Sequence, residues 1–368
     1  MSAGPGLFIG LMSGTSLDGI DAVVASIGNV DTAPRLLHSH YQPFEPRLRD
    51  ELLALQAPCE NELHRAALAA NQLAHAYATA IHALLAKAVL HANDIEAIGC
   101  HGQTIRHRPE AGYTMQLGNA ALLAELTGIT VVNDFRSRDI AAGGQGAPLL
   151  PMLHQRLFHS ASEHRVIVNI GGIANITNLP SNGSVTGFDC GPGNALMDEW
   201  IAMHLYEPYD KNGAWAAGGS VLPELYNYLF SNTYLSLPPP KSTGRDVFNL
   251  AWLKQALRGN ELPQDVQATL LELSAQGIAQ AISKYCTGTQ AAFVCGGGAH
   301  NHTLMARLAA LLPRIKIADT AAVGLDADWV EALAFAWFAK LALRHEPGNL
   351  PVVTGAKGLR ILGAVYSK

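Results

Sequence analysis

Residues 7–27 read LFIGLMSGTSLDGIDAVVASI. Two apolar runs, 7–12 and 20–27, flank the polar segment Ser13-Gly14-Thr15-Ser16-Leu17-Asp18-Gly19. Asp18-Gly19 is a strong turn dipeptide, so the stretch predicts two strands folded back on each other. The same unit recurs at 165–179, where Arg165 to Ile170 and Ile173 to Leu179 turn at Gly171-Gly172. Each copy leads into mixed strands and helices. Two α/β halves facing each other across a cleft is the economical reading, and a single doubly wound sheet is the alternative. No repeat of 20–50 residues is visible, which argues against a solenoid or a propeller.

Between the two copies, helical apolar spacing runs from about Arg47 to His91. Ile95 to Cys100 predicts a buried strand ending in His101-Gly102-Gln103-Thr104, followed by a helix from Asn119 to Thr127 and a strand from Ile129 to Val132. Residues 133–148, NDFRSRDIAAGGQGAP, are polar, glycine-rich and too irregular for a helix or strand. The boundary between halves is placed at the start of this loop. One lobe then comprises residues 1–133 with 345–368, and the other 134–344. Beyond the second hairpin, the pattern predicts a strand at Val185 to Phe188, a helix at Asn194 to Leu205 and helices over much of 214–285. A strand at Ala291 to Cys295, a turn at Gly296-Gly297-Gly298, a helix at Asn301 to Leu312 and a last helix at about Asp326 to Arg344 complete the second half.

Composition bounds the function. Of the 368 residues, 49% are hydrophobic and 15% charged, enough to build sizeable cores. Lys plus Arg number 25 against 30 Asp plus Glu, a net charge of −5, which argues against broad binding of nucleic acid or an anionic membrane. Five cysteines form no CxxC pair and no zinc spacing, as expected of free thiols in a reducing compartment. No Lys or Arg precedes Arg35, so the start lacks the charge of a secretory signal, and no apolar run reaches 18 residues. The expectation is a soluble cytoplasmic protein.

Several residues suit chemistry, each with a plainer alternative. The turn from Gly14 to Asp21 packs glycines, hydroxyls and carboxylates between strands. Its backbone N–H groups suit a phosphate, and Asp18 or Asp21 suits a hydrated Mg²⁺. Alternatively it is an ordinary hairpin whose Asp and Ser satisfy the turn. The absence of a following Gly-Lys-Ser/Thr excludes a Walker A loop. Asn169, Gly171, Gly172, Asn175 and Thr177 repeat the logic in the second hairpin, with a tight bulged turn as the alternative. Gly296, Gly297 and Gly298, where a strand meets a helix, permit a flat ligand against the backbone. Asp189, at a strand end before Cys190-Gly191-Pro192-Gly193, is placed either as a general base or as a helix cap. Arg136, Arg138 and Asp139 suit an anionic group or a surface ion pair. His101, Gln103 and Thr104 suit sugar hydroxyls, and the polar loop from Lys241 to Asp246 suits a ligand cover. Glu331 falls inside the last helix, where a solvated face is the simpler reading.

The segments GLMSGTSLDGIDA (10–22), HGQTI (101–105), QLGNAALLAELTGITVVNDFR (116–136), DIAAGGQGAPLLP (139–151), VNIGGIANIT (168–177), FDCGPGNALMD (188–198), STGRDVFN (242–249), CGGGAHN (295–301) and WVEALAFAWFA (329–339) span nearly the whole chain in order. Together they resemble the anhydro-N-acetylmuramic acid kinases, of the sugar kinase, heat-shock ATPase and actin superfamily. Cys190 stands where a Thr or a small residue is expected.

The resemblance implies an α/β, two-domain actin-like ATPase (ribonuclease H-like) fold that binds ATP with Mg²⁺ in an interdomain cleft. It implies that Gly14, Thr15, Ser16, Leu17, Asp18, Gly19, Ile20 and Asp21 contact ATP. By superfamily analogy, Asn169, Gly171 and Gly172 hold phosphates and Gly296–Gly298 face the adenosine. The implied substrate is 1,6-anhydro-N-acetylmuramic acid, whose 1,6 bridge is opened by water while O6 is phosphorylated. Asp189 matches the family's catalytic carboxylate, with Glu331 a weaker candidate to assist. Arg136 is the candidate for the lactyl carboxylate, and His101, Gln103 and Thr104 for the sugar. Family members look like homodimers. The alternatives are a kinase of another sugar on the same scaffold, or an actin-like or chaperone ATPase.

Overall fold

A computed structural model describes residues 5–14, 16–28, 32–245 and 247–368, so Thr15 and Asp246 lie outside the described residues. The chain divides into two compact units, Met1–Leu157 with Trp329–Lys368, and Phe158–Asp328.

The first unit contains β1 (Gly6–Met12), β2 (Gly19–Ile27), β3 (Arg35–Pro43), β4 (Ile95–Cys100), β5 (Gln103–Arg108), β6 (Tyr113–Leu117) and β7 (Val131–Asn133). The second contains β8 (Arg165–Ile170), β9 (Ile173–Leu179), β10 (Thr186–Pro192), β11 (Ala291–Cys295) and β12 (Lys316–Asp319). The chain then returns to the first unit, where β13 (Ala364–Tyr366) pairs with β7. The main sheet of the first unit runs β13-β7-β4-β1-β2-β3 and that of the second β10-β9-β8-β11-β12. In both, the opening three strands form an antiparallel meander and the next two add parallel on the other side of the first. The two hairpins that the sequence pairs as copies are therefore the same element of the same sheet, once in each unit. Two separate sheets set aside the single doubly wound alternative.

Alternation along β1 decides how the first unit is layered, because successive side chains point to opposite faces. Ile9 and Leu11 are wholly buried in a cluster with Leu73, Tyr77, Ile81 and Leu84 of the helix Glu62–Ala88. Gly10 faces the other way. A Cβ there would overlap the carbonyl of Ala332, and one on Gly99 of β4 would overlap that of Phe335. The helix Val330–Leu343 thus lies with its backbone directly on the sheet, and its side chains from Ala332 to Ala342 are buried.

That packing moves the boundaries expected near 133 and 344 to 157/158 and 328/329, because the last long helix is core of the first unit. The loop after β7 belongs there as well. It contains a helix, Ser137–Ala141, and buried Asp139 ties it to the chain's return: its carboxylate accepts from Asn349 Nδ2 at 2.7 Å, Thr354 Oγ1 at 2.8 Å and Gly146 N at 2.8 Å. The helical stretch expected over 47–91 is two helices, Pro46–Ala54 and Glu62–Ala88.

Candidate active site

In the first unit the turn between β1 and β2 is fixed from both sides. Buried Ser13 bonds the Tyr77 hydroxyl at 2.7 Å and donates to the Gly102 carbonyl at 3.2 Å. Wholly buried Gln103 donates from Nε2 to the Gly14 carbonyl at 3.1 Å, and that carbonyl also accepts from Leu17 N at 3.3 Å. Leu17 takes a left-handed conformation, φ 58°, with its side chain buried. A non-glycine residue there carries strain of about 1 kcal/mol or more, tolerated where the surroundings enforce it. Exposed Asp18 closes the turn, accepting from Ser16 Oγ at 2.6 Å and Gly19 N at 3.1 Å on one oxygen. Ile20 points into the core, and Asp21 lies within β2, opposite Met12 and Tyr41.

His101, at the end of β4, joins this turn to the loop after β7. Its Nε2 receives Arg136 Nε at 3.1 Å and Nη2 at 3.0 Å, and Arg136 Nη1 donates to the Gly146 carbonyl at 2.8 Å. Burial, and then the adjacent guanidinium, push the imidazole well below its ordinary range, so it is the neutral acceptor. His101, Gln103, Arg136 and the first turn therefore converge. Thr104 is committed elsewhere, accepting from Gln116 Nε2 at 3.1 Å across the β5–β6 hairpin. Glu331 is partly buried in the first turn of the helix Val330–Leu343.

In the second unit, register creates a polar row. Asn169 of β8 pairs with Asn175 of β9, which pairs with Asp189 of β10, and directly opposed residues share a face. A bulge follows at once: Asp189 opposes Asn175 but Gly191 opposes Ala174, leaving Cys190 as the extra residue. Bulges re-aim side chains at functional edges, and this one lies immediately beyond the carboxylate. Asp189 is buried, its Oδ2 accepts from Thr243 N at 3.0 Å, and its own N–H donates to the Lys241 carbonyl at 3.1 Å. Cys190, where the resemblance leads one to expect a Thr or a small residue, is buried with its thiol pointed at the Ala174 carbonyl at 3.2 Å.

The turn of the second hairpin is held by the start of the helix Ala195–Leu205. Asn194 N donates to the Gly171 carbonyl at 2.8 Å, and Gly193 N and Ala195 N donate to that of Gly172 at 3.0 and 3.2 Å. Of the three consecutive glycines, two serve internal packing. Gly296 has φ 76°, and a Cβ on it would lie 2.5 Å from Asn169 Oδ1; one on Gly298 would overlap the Ile170 side chain. Only exposed Gly297 meets its surroundings at an ordinary 3.6 Å. Among the described residues, buried Asn169 Oδ1 has no hydrogen-bond partner, so the fold leaves this acceptor available to a ligand.

Sequence reading did not single out Ser13 or Tyr77, and took Thr243 only as part of the polar loop from Lys241 to Asp246. Tyr77 looks like core on its helix, and Thr243 acts through its backbone, which no residue type reveals. Among the described residues no group of three or more His, Cys, Asp or Glu side chains gathers, and no helix is long and apolar enough to cross a membrane.

The sequence model described as anhydro-N-acetylmuramic acid kinase matches residues 6–368. A protein of that name from Nitrosospira multiformis is 57% identical over 363 residues, covering 98% of this chain and 98% of its own. Another from Nitrosomonas europaea is 55% identical over 361 residues, covering 98% and 99%. Among solved structures, the activator of the 2-hydroxyisocaproyl-CoA dehydratase from Clostridium difficile with bound ADPNP covers 92% of this chain and 97% of its own, at 14% identity and a TM-score of 0.47.

Proposed function

The chain belongs to the anhydro-N-acetylmuramic acid kinase family, and from that premise we propose that Asp189 is the general base of its reaction. The reaction is the ATP-dependent conversion of 1,6-anhydro-N-acetylmuramic acid to N-acetylmuramic acid 6-phosphate and ADP, a step of cell-wall peptidoglycan recycling. In the proposed mechanism Asp189 takes a proton from water as the water oxygen attacks the anomeric carbon. The bond from that carbon to O6 breaks, O6 attacks the γ-phosphorus, and the bond from γ-phosphorus to the β–γ bridging oxygen breaks to release ADP. Hydrolysis thereby creates the nucleophile for transfer. The observation that supports this role is the buried carboxylate of Asp189, set at a strand bulge in line with Asn169 and Asn175 and held by a backbone N–H.

Each unit supplies its own groups. The first offers the turn from Gly14 to Asp21 for ATP, Arg136 for the lactyl carboxylate, and His101 and Gln103 for the sugar, with Thr104 and Glu331 as weaker contributors. The second offers Asn169, Gly171, Gly172 and Gly296 to Gly298 for the nucleotide. Since Gly296 and Gly298 are consumed by packing, Gly297 is the member of that trio that faces the ligand in this reading. Phosphoryl transfer depends mainly on positioning and charge neutralisation, which such backbone-rich turns provide.

Mg²⁺ takes one or two carboxylates together with phosphate and water oxygens, so exposed Asp18 in a turn of hard oxygen donors fits it. Asp18 or Asp21 would hold the ion through water, where it neutralises phosphate charge. Cytoplasmic location and a homodimer complete the proposal. Sedimentation as a monomer at micromolar concentration would refute the dimer. Asp189→Asn keeps the volume but not the basicity, so turnover should fall at least about 10²–10⁴-fold with ATP and sugar still bound. Near-normal turnover would remove Asp189 from this role.

A further inference from the structure

We propose that Lys241 is a positioning residue for Asp189, locking the strand that carries it through a closed ring of contacts and keeping a positive charge beside it; the proposal rests on the assignment of Asp189 as base. Among the described residues, β10 lies at the edge of its sheet, and Lys241 and Thr243 meet it at Asp189. The ring has three members. Asp189 N donates to the Lys241 carbonyl at 3.1 Å. Lys241 Nζ donates to the Tyr234 carbonyl at 3.1 Å and the Leu235 carbonyl at 3.4 Å, and lies 4.7 Å from the centre of the Tyr234 ring. Tyr234 Oη returns to the Asp189 carbonyl at 2.8 Å.

The consequence reaches the carboxylate because Thr243, two residues beyond Lys241, supplies the N–H on Asp189 Oδ2. Lys241 ties this strap to the helix Thr233–Ser236, whose Tyr234 hydroxyl holds the carbonyl of the same residue, Asp189. Arg245, further along the strap, is paired with Glu199 at 3.0 Å. The charge environment is simple. Cys190 faces the region from β10, Tyr234 from the short helix, and Lys284 and Tyr285 from the helix Pro263–Tyr285, with Cys286 just past its end. Burial pushes the Cys190 and Cys286 thiols and the Tyr234 phenol upward, leaving them neutral, so among these groups the Lys241 ammonium is the cation that acts on Asp189, with Lys284 acting on Lys241. Burial lowers the Lys241 ammonium, and the Asp189 charge acts in the opposite sense, so the two are coupled. A nearby cation favours the carboxylate form, the one a general base needs.

The test measures kcat and KM against pH for Lys241→Met, Lys241→Arg and Tyr234→Phe, with Asp189→Asn as the reference. Lys241→Met should lower kcat about 10–100-fold and leave both KM values within about twofold. Its acid limb should move up by roughly one pH unit, since the base loses its cation. Lys241→Arg keeps the charge and should restore the acid limb while recovering only part of kcat. Tyr234→Phe should lower kcat without moving the limb. A Lys241→Met enzyme that folds and keeps its limb, or equal losses in the Met and Arg variants with no shift, would reduce Lys241 to a structural residue. If Lys241→Met does not fold, an acid limb displaced in Lys241→Arg, or unimpaired turnover in Tyr234→Phe, overturns the ring. Turnover by Asp189→Asn would bring down the base assignment itself, whereas an inactive Asp189→Asn beside an unaffected Lys241→Met would bring down only the positioning.

Discussion

Replacing Asp139 by Ala tests how the loop carrying Arg136 is held. The carboxylate is wholly buried and accepts hydrogen bonds from Gly146 N, Asn349 Nδ2 and Thr354 Oγ1. After truncation, Asn349 keeps the Gly358 carbonyl at 3.3 Å and Thr354 keeps the Leu350 carbonyl at 3.4 Å, but Gly146 N loses the partner described here. Charge-assisted bonds contribute about 1.5–3 kcal/mol each, and an orphaned buried N–H costs about 1–3 kcal/mol. Allowing for the partial rescue, the loss should be about 3–6 kcal/mol. In a unit of this size each kcal/mol moves the midpoint by roughly 2–4 °C, so its melting should fall by roughly 6–24 °C. Scanning calorimetry on the full chain would measure this. Gly146 also accepts from Arg136 Nη1 at 2.8 Å, so the same variant should raise KM for the sugar more than KM for ATP. A melting point within about 2 °C of the parent, with sugar KM unchanged, would refute the argument that Asp139 holds this loop.

Other expectations follow from packing and charge. Gly99→Ala drives a methyl into the carbonyl of Phe335 and should destabilise the first unit by about 1–3 kcal/mol or more, read by urea titration. Gly296→Ala should be destabilising by more than about 1 kcal/mol because of its positive φ and Asn169, whereas Gly297→Ala should fold normally and raise KM for ATP. Buried His101 and His154 and half-buried His107 are held neutral, His107 at about 4 and His154 at about 3, while the unfolded chain protonates near 6.5. The unfolded state therefore binds more protons as pH falls below 6.5, and stability should drop by about 2 kcal/mol per histidine between pH 6.5 and 5. A flat stability profile over that range, from denaturant titrations at each pH, would contradict their burial as neutral rings.

Elements with strong local signals were legible in the sequence. Both hairpins, β4, β11 and the helix His302–Leu311 that follows Gly296 to Gly298 combine apolar runs with turn residues, and they form where expected. Strand β3, Arg35–Pro43, mixes His38, Ser39, His40 and Gln42 with few core residues, so its pairing with β2 is set by tertiary contact alone. β12 and β13 are too short for periodicity to register. The unit boundary was hidden because Gly10 and Gly99 look like ordinary strand glycines until a helix more than 230 residues away in sequence lies on them. At the site, Asp189 was legible as a carboxylate beside a glycine-rich break, but the strand expected to end at Phe188 runs on to Pro192, so Asp189 stands within β10 at its bulge. The Thr243 N–H that holds it belongs to the backbone and leaves no mark in the residue type.

The most direct measurement is ADP release with ATP, Mg²⁺ and 1,6-anhydro-N-acetylmuramic acid, set beside N-acetylmuramic acid and N-acetylglucosamine, with the products weighed by mass spectrometry. The account predicts release with the anhydro sugar alone and a product heavier by one phosphoryl group and one water, both lost in Asp189→Asn. ADP release indifferent to the sugar, or a phosphorylated product with its anhydro bridge intact, would contradict it.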